Sequence, residues 1–273
     1  MSIKVIATDL DGTLIGNDGR VSTENLEAIS ELQRLGVTVV PISGRAKGEF
    51  PRELLNHQAT RYIITSSGAV LEDLKTGERV ENCITGELAV MTGEILRKYD
   101  LLSAPHVDGE AYIPASVELT EEFGRKYSIY EAYRALFLDT AKAIEDITGL
   151  FDGTHSIEML PLFYQSKDDK LACESELRAL GLSVSYSDPR NSEILNDGVS
   201  KGNMLGVLID RLGISGSEII TVGDSFNDAS MMVITPNSYA VENASAELKK
   251  LAKYSAPGNT EHIMKFFLEL LRA

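Results

Sequence analysis

The chain has 273 residues, of which 43% are hydrophobic and 25% charged, the composition of a folded globular protein rather than a disordered or collagen-like chain. Its 26 Lys and Arg residues face 41 Asp and Glu residues, which gives a formal net charge of −15. Because such a charge repels duplex nucleic acid and anionic membranes at long range, neither is expected as a partner.

The first eighty residues are predicted to alternate strands and helices. Residues 3–8 form a short apolar run that ends at acidic residues, as in a strand buried on both faces. Apolar residues at helical spacing predict a helix that begins at Ser22 or Thr23, either of which can cap it, and ends at Gly36. Further strands are predicted over 37–42 and 62–65. This order predicts a parallel sheet with right-handed crossovers, in which ligands bind at the carboxyl ends of the strands.

The last part of the chain returns to the same pattern. Its predicted elements are a helix over 200–212, strands over 218–222 and 239–241, and a closing helix from about residue 260. Residues 83–188 instead mix polar helices with short strand-like segments, and they are long enough for a core of their own. We therefore expect an α/β domain over 1–82 and 189–273 that is interrupted by an α+β insert.

The cysteines and the apolar segments bear on the location of the protein. Cys83 and Cys173 show no metal-ligand spacing, which is typical of a reducing compartment. The N-terminal residues do not have the pattern of a signal peptide, and no segment approaches the ~20 apolar residues of a membrane span. These features predict a cytoplasmic protein.

The strongest chemical feature is the segment Asp9-Leu10-Asp11-Gly12-Thr13, at the end of the first predicted strand. Two crowded carboxylates cost energy unless a cation neutralises them or one is protonated. A calcium loop is one alternative, but its glycine and glutamate positions hold Leu14 and Arg20 when counted from Asp9. A chance surface turn is another alternative, and we interpret Asp152-Gly153-Thr154 in that way because no strand precedes it.

Three further groups of polar residues are predicted at the same edge of the sheet. The Ser43 hydroxyl and nearby backbone N–H groups could hold a phosphate oxygen, and Lys201 begins a helix whose dipole also favours an anion. Asp224 and Asp228 form a second acidic pair, with Asn227 between them. Magnesium prefers oxygen ligands and is usually completed by a substrate phosphate. The groups together therefore predict a site for Mg²⁺ and a phosphate.

This set of motifs resembles the haloacid dehalogenase-like phosphatases, and most closely their Cof-type members, whose cap is inserted between the second and third motifs (type IIB). The matching segments are Asp9-Leu10-Asp11-Gly12-Thr13, Pro41-Ile42-Ser43-Gly44-Arg45, Val199-Ser200-Lys201-Gly202 and Gly223-Asp224-Ser225-Phe226-Asn227-Asp228. The resemblance implies a Rossmann-like parallel-sheet core over 1–82 and 189–273, with an α+β cap domain over 83–188. In the core the resemblance rests on the motifs themselves. In the insert it rests only on the position and the size of the segment.

The resemblance also implies roles for the acidic residues. Asp9 is expected to be the nucleophile that forms an aspartyl-phosphate, and Asp11 the acid that protonates the leaving group and then activates water. Asp9, the backbone carbonyl of Asp11 and Asp224 are expected to hold Mg²⁺. Asp228 is expected to orient Lys201 or a water bound to the metal.

The resemblance assigns the phosphoryl oxygens to Ser43, Gly44, Lys201 and Asn227, with Arg45 as a weaker candidate for contact with the substrate. It implies a Mg²⁺-dependent phosphatase acting on a small phosphorylated metabolite, such as a sugar phosphate or a phosphorylated cofactor. A phosphomutase or phosphotransferase on the same core stays open as an alternative. So does a non-catalytic, regulatory phosphate-binding protein, since a fold does not establish an activity.

Overall fold

The computed structural model describes residues 3–186 and 191–273. The strands are, in chain order, β1 (Val5–Asp9), β2 (Thr38–Ile42), β3 (Tyr62–Thr65), β4 (Val70–Asp73), β5 (Glu78–Glu81), β6 (Leu101–Ser103), β7 (His106–Val107), β8 (Glu110–Pro114), β9 (Lys142–Ile144), β10 (Ile157–Tyr164), β11 (Ser183–Ser185), β12 (Asn191–Leu195), β13 (Ile219–Gly223), β14 (Ser238–Val241) and β15 (Tyr254–Ala256). The helices are α1 (Thr23–Arg34), α2 (Arg52–Leu55), α3 (Gly86–Leu96), α4 (Glu121–Lys126), α5 (Glu131–Thr140), α6 (Lys167–Ala179), α7 (Lys201–Leu212), α8 (Ala229–Met232), α9 (Ala246–Leu251) and α10 (Ile263–Arg272).

The chain divides into two compact units. The first comprises Met1–Gly44, Phe50–Val80 and Ser200–Ala273, and the second Arg45–Glu49 and Glu81–Val199. Three segments differ from the expected division, since residues 45–49, 81–82 and 191–199 all belong to the second unit. Residues 191–195 form β12, which pairs with β10 and β11 of that unit. The expected boundary between residues 188 and 189 lies outside the described residues.

The first unit is built on a sheet whose described strands run in the order β15-β14-β13-β1-β2-β3-β4-β5. Strand β1 lies in the middle and pairs in parallel with β2 on one side and β13 on the other. All five residues of β1 are buried, as its uninterrupted apolar run predicts. The predicted α/β fold with a parallel sheet is confirmed, whereas the antiparallel pairing of β4 with β3 was not predicted.

The helices of the first unit bury their apolar faces in one core. Helix α1 begins after Ser22, whose hydroxyl accepts a hydrogen bond from the Asn25 N–H. Helix α10 buries its apolar stripe and places Phe267 against Tyr239 of β14, with ring centroids 5.1 Å apart. Within the described residues, the chain contains no helix that is both long and apolar enough to cross a membrane.

The second unit is an α+β fold, and its described strands run in the order β11-β12-β10-β7-β8-β9, with β6 also pairing with β10. Strand β10 is buried along its whole length and pairs antiparallel with β12, β6 and β7. The strand-like segments and polar helices predicted for residues 83–188 include β10 and α6. The unit has hydrophobic clusters of its own, so its core is built from its own residues.

Candidate active site

The ends of three adjacent strands bring the predicted acidic and phosphate-binding residues to one edge of the first unit's sheet. Asp9 is the last residue of β1 and lies opposite Ile42 of β2, which directly precedes Ser43. On the other side of β1, strand β13 runs parallel and ends just before Asp224. Since the strands are parallel, their carboxyl ends meet at one edge, as the sequence analysis predicts.

The ammonium group of Lys201 lies between the two acidic loops. Its Nζ donates to Asp9 Oδ1 at 2.6 Å, to Asp228 Oδ1 at 2.7 Å and to Asn227 Oδ1 at 3.4 Å. The Lys201 residue is only 2% exposed, so these ion pairs are shielded from water. The sequence predicts that Lys201 lies at a helix start. It does not reveal that the Lys201 side chain contacts Asp9, 192 positions earlier in the chain, and Asp228, 27 positions later.

The start of helix α7 fixes the position of Lys201. Ser200 caps the helix by accepting a hydrogen bond from the Asn203 N–H at 3.1 Å. The next turn packs closely against α8, because a Cβ at Gly202 would lie 2.2 Å from the Ser230 carbonyl oxygen. The Gly202 N–H also donates to Ser230 Oγ at 3.0 Å. Glycine is therefore required here for the close approach that places Lys201 beside Asp9.

Three carboxylates face one another at the site. One oxygen from each of Asp9, Asp224 and Asp228 lies within 4.8 Å of the others. Asp228 accepts from Lys201 with Oδ1, and its Oδ2 accepts from the N–H groups of Asp224 and Ser225, at 3.0 and 3.2 Å. Both oxygens of Asp228 thus hold neighbouring groups in place, whereas Asp224 turns its carboxylate toward the Asp9 loop.

The crowding of these charges shifts their titration. Burial raises the pKa of Asp9 well above its usual value, and the nearby carboxylates of Asp228 and Asp224 raise it further, against the lowering effect of Lys201. Burial, with the charge of Asp228, raises the pKa of Asp224 to about 7. Burial disfavours the charged form of Lys201, but Asp228 and Asp9 outweigh it, so its pKa is raised. Lys201 thus stays protonated.

The residues present fit a magnesium ion. The three facing side chains offer only carboxylate oxygens, the donor type that Mg²⁺ takes. A Cβ at Gly12, whose φ is +76°, would lie 2.5 Å from Asp224 Oδ2, so only glycine lets the two acidic loops approach this closely. The Asp11 side chain is exposed and is not part of the three-carboxylate cluster, which leaves its backbone carbonyl as its predicted contribution.

The remaining predicted residues lie in two places. Ser43 is buried, its N–H donates to the Ile64 carbonyl at 3.0 Å, and its own carbonyl accepts from the Ser67 N–H at 3.0 Å. Gly44 follows it as the last residue of that segment of the first unit. Arg45 belongs to the second unit, where its guanidinium donates to the carbonyl of Glu49 at 2.8 Å.

Three asparagines with no role predicted from the sequence form hydrogen bonds to the loop after β1. Their side-chain amides donate to the carbonyls of Gly12, Leu14 and Ile15; the asparagines are Asn243, Asn25 and Asn259. Asparagines that bond to loop backbone are common, so residue type alone could not single these out.

Comparisons with known proteins identify the family of the chain. Residues 6–266 match the haloacid dehalogenase-like hydrolase family. The chain is 28% identical over 284 residues to the 5-amino-6-(5-phospho-D-ribitylamino)uracil phosphatase YwtE of Bacillus subtilis, covering 98% of each chain. It is 28% identical over 268 residues to YbjI of Escherichia coli strain K12, a phosphatase named for the same substrate, covering 95% of this chain and 92% of that one.

A solved structure shows the same fold. The crystal structure of a haloacid dehalogenase-like hydrolase from Bacteroides thetaiotaomicron superposes with a TM-score of 0.82 at 25% identity, covering 99% of this chain and 100% of that one. The match to the family spans most of the chain and includes the segments that carry Asp9, Lys201 and Asp224. The resemblance to the Cof-type phosphatases is thereby confirmed, and the chain belongs to the haloacid dehalogenase-like hydrolase family of enzymes.

Proposed function

We propose that this protein is a Mg²⁺-dependent phosphatase that hydrolyses small phosphomonoesters through an aspartyl-phosphate on Asp9. The observation that carries the proposal is the buried Lys201 ammonium, held between Asp9 and Asp228 and beside Asp224. A fixed positive charge next to a carboxylate nucleophile suits the binding of a dianionic phosphoryl group.

In the first step, a carboxylate oxygen of Asp9 attacks phosphorus in line, and the bond between phosphorus and the ester oxygen breaks. Asp11 donates its proton to the leaving alkoxide. Asp11 then removes a proton from water, which attacks the aspartyl-phosphate and releases inorganic phosphate. Mg²⁺, held by Asp9, the backbone carbonyl of Asp11 and Asp224, would supply the charge neutralisation that lets a carboxylate approach a dianionic ester.

The other polar residues bind and orient the phosphoryl group. Lys201, the Ser43 hydroxyl and Asn227 would contact its oxygens as charge develops, with backbone groups near Gly44 as further donors. Asp228 would hold Lys201 in position, since its Oδ1 accepts from Lys201 Nζ at 2.7 Å. The charge arrangement of the site thus exists before the substrate arrives, which avoids reorganisation during the reaction.

The second unit would serve as the cap domain and select the non-phosphate part of the substrate, with Arg45 as its candidate contact. Two relatives from different bacteria are named as phosphatases of the same substrate, 5-amino-6-(5-phospho-D-ribitylamino)uracil. We therefore place phosphorylated sugar alcohols, sugar phosphates and phosphorylated cofactors first among the candidate substrates. The proposed location is the cytoplasm. Accumulation of free phosphate tests this proposal, because a phosphomutase would instead accumulate an isomerised ester.

The role of Asp11 as the acid predicts a dependence on the leaving group. Asp11→Asn should slow hydrolysis of alkyl phosphates about 10²- to 10⁴-fold, and it should affect an activated aryl ester such as p-nitrophenyl phosphate much less, because that leaving group needs little protonation. Steady-state rates on both substrate types measure the difference.

The chain contains a matched control for this variant. Asp152-Gly153-Thr154 repeats the tripeptide of Asp11-Gly12-Thr13, but Asp152 is exposed in the second unit. Its carboxylate accepts hydrogen bonds from the N–H and the hydroxyl of Thr154, two residues away, at 2.8 and 2.7 Å. Asp152→Asn should leave both rates unchanged. An equal loss on both ester types in Asp11→Asn would contradict the leaving-group role. It would indicate that Asp11 acts in hydrolysing the intermediate or in positioning the metal.

A further inference from the structure

The loop that follows β1, here called the nucleophile loop, is held by side-chain amides from distant parts of the chain. Asn243 Nδ2 donates to the Gly12 carbonyl at 2.7 Å, and Asn259 Nδ2 donates to the Ile15 carbonyl at 3.0 Å. Because these bonds engage the backbone, they constrain the path of the loop itself.

Asn243 is oriented by a second bond. Its Oδ1 accepts from the Asn259 N–H at 3.0 Å, so the two ends of the Asn243 amide face an N–H group and a carbonyl respectively. This pairing determines which end of the amide is the donor. The Nδ2 group therefore faces the Gly12 carbonyl, one residue after Asp11.

The same segment also holds the second acidic loop. The Ser245 N–H donates to the carbonyl of Asp224 at 2.8 Å. Residues 243–245 thus bond to the backbone of both loops, at Gly12 and at Asp224. Those two loops are the ones whose contact leaves no room for a Cβ at Gly12.

We propose that residues 243–245 act as a clip that sets the spacing between the Asp9–Asp11 loop and the Asp224 loop, and that Asn243 is its positioning residue. The inference rests on the proposed function, since the spacing matters because the two loops share a metal ion and present the nucleophile. Asn243 itself does not touch the reacting atoms; it acts through the carbonyl of Gly12.

The proposal predicts a loss of turnover and of metal affinity with little loss of stability. A misplacement of reacting groups by ~1 Å can cost ~10²-fold in rate. For Asn243→Ala we therefore expect kcat to fall about tenfold or more. The Kd for Mg²⁺ should rise about tenfold, as when a group that orients the metal ligands is lost. The KM for the ester should change less than about threefold. Asn243 is exposed, so the truncation leaves no cavity in the core.

Asn237 provides a matched control at the other end of the sheet. Its Nδ2 also donates to backbone carbonyls, those of Ser217 and Ile219, at 3.0 and 3.1 Å. Ile219 begins strand β13, whereas Asp224 follows the end of that strand. Asn237→Ala removes bonds of the same kind without touching either acidic loop, so it should lower the melting temperature while leaving kcat and Mg²⁺ affinity as in the wild type.

Two readouts besides turnover test the clip directly. Calorimetric titration of MgCl₂ into the ester-free protein gives the Kd for the metal. Amide hydrogen exchange of peptides spanning residues 10–16, measured without metal, reports the opening of the nucleophile loop. Exchange there should be faster in Asn243→Ala and unchanged in Asn237→Ala.

The possible results separate the clip from the function on which it rests. Wild-type protein that neither binds Mg²⁺ nor releases phosphate would overturn the proposed function. Wild-type protein that does both, with Asn243→Ala equal to it in Kd, kcat and exchange, would overturn the clip alone. Equal losses in Asn243→Ala and Asn237→Ala would also overturn the clip, because they would reduce it to a general effect on stability.

Discussion

Replacing Asp9 with asparagine is expected to reduce phosphate release at least about a thousandfold, because an amide oxygen cannot form the aspartyl-phosphate. The fold should persist, since asparagine has the same shape and Lys201 keeps its 2.7 Å bond to Asp228. The substitution also removes one of the three crowded carboxylates, so the metal-free protein is not expected to lose stability. Turnover and thermal unfolding of the same preparation measure both effects.

Asp73→Asn is a suitable control for this variant. Asp73 is also a buried aspartate at the end of a strand of the same sheet, but it lies opposite Tyr62 at the start of β3 and pairs with Arg61. Asp73→Asn should lower the free energy of unfolding, because it breaks the ion pair with Arg61, and it should leave turnover at the wild-type level. Substantial residual turnover in Asp9→Asn would remove Asp9 as the nucleophile.

Replacing Lys201 with methionine is expected to affect both turnover and stability. The fixed cation that binds the phosphoryl group is lost, so kcat should fall about 10²- to 10³-fold. The carboxylates of Asp9 and Asp228 lose their buried partner, and the free energy of unfolding should fall by about 3–5 kcal/mol in the absence of metal. Urea unfolding and steady-state kinetics measure the two effects.

The exposed Lys250 gives the control for the loss of one positive charge. Lys250→Met should change neither quantity by a measurable amount, because a single exposed charge contributes little. If Lys201→Met unfolded at the same urea concentration as the wild type, the buried ion pairs would not stabilise the fold. If it kept wild-type turnover, the assignment of Lys201 to the phosphoryl group would be wrong.

The parts of the fold that could be predicted from sequence are those that bury apolar surface in the middle of the sheet. Strands β1, β2, β3 and β13 are short apolar runs bounded by turn residues, so their patterns are unambiguous. Strands β5 and β15 lie at the edges of the sheet and are partly polar, and their sequences resemble loops. The pairing of β12 with β10 depends on contacts that no local pattern contains.

The residues of the candidate site likewise fall into those that could be predicted from sequence and those that could not. Asp9, Ser43 and Asp224 could be predicted together because each lies at or just after the carboxyl end of a parallel strand, and parallel strands end at one edge. The ion pairs of Lys201 could not, because they join segments that are distant in the chain. The bond from Asn243 to Gly12 spans 231 positions and ends on a backbone carbonyl, which carries no residue identity to recognise.

We propose that the chain hydrolyses phosphomonoesters at Asp9 with the help of a divalent cation. The most direct test is inorganic phosphate release from a panel of esters that includes 5-amino-6-(5-phospho-D-ribitylamino)uracil, sugar phosphates and phosphorylated cofactors, with Mg²⁺ or with EDTA, and with Asp9→Asn as the blank. We expect release that requires Mg²⁺ and disappears in the variant. Release that persists in EDTA or in Asp9→Asn, or no release from any ester, would contradict it.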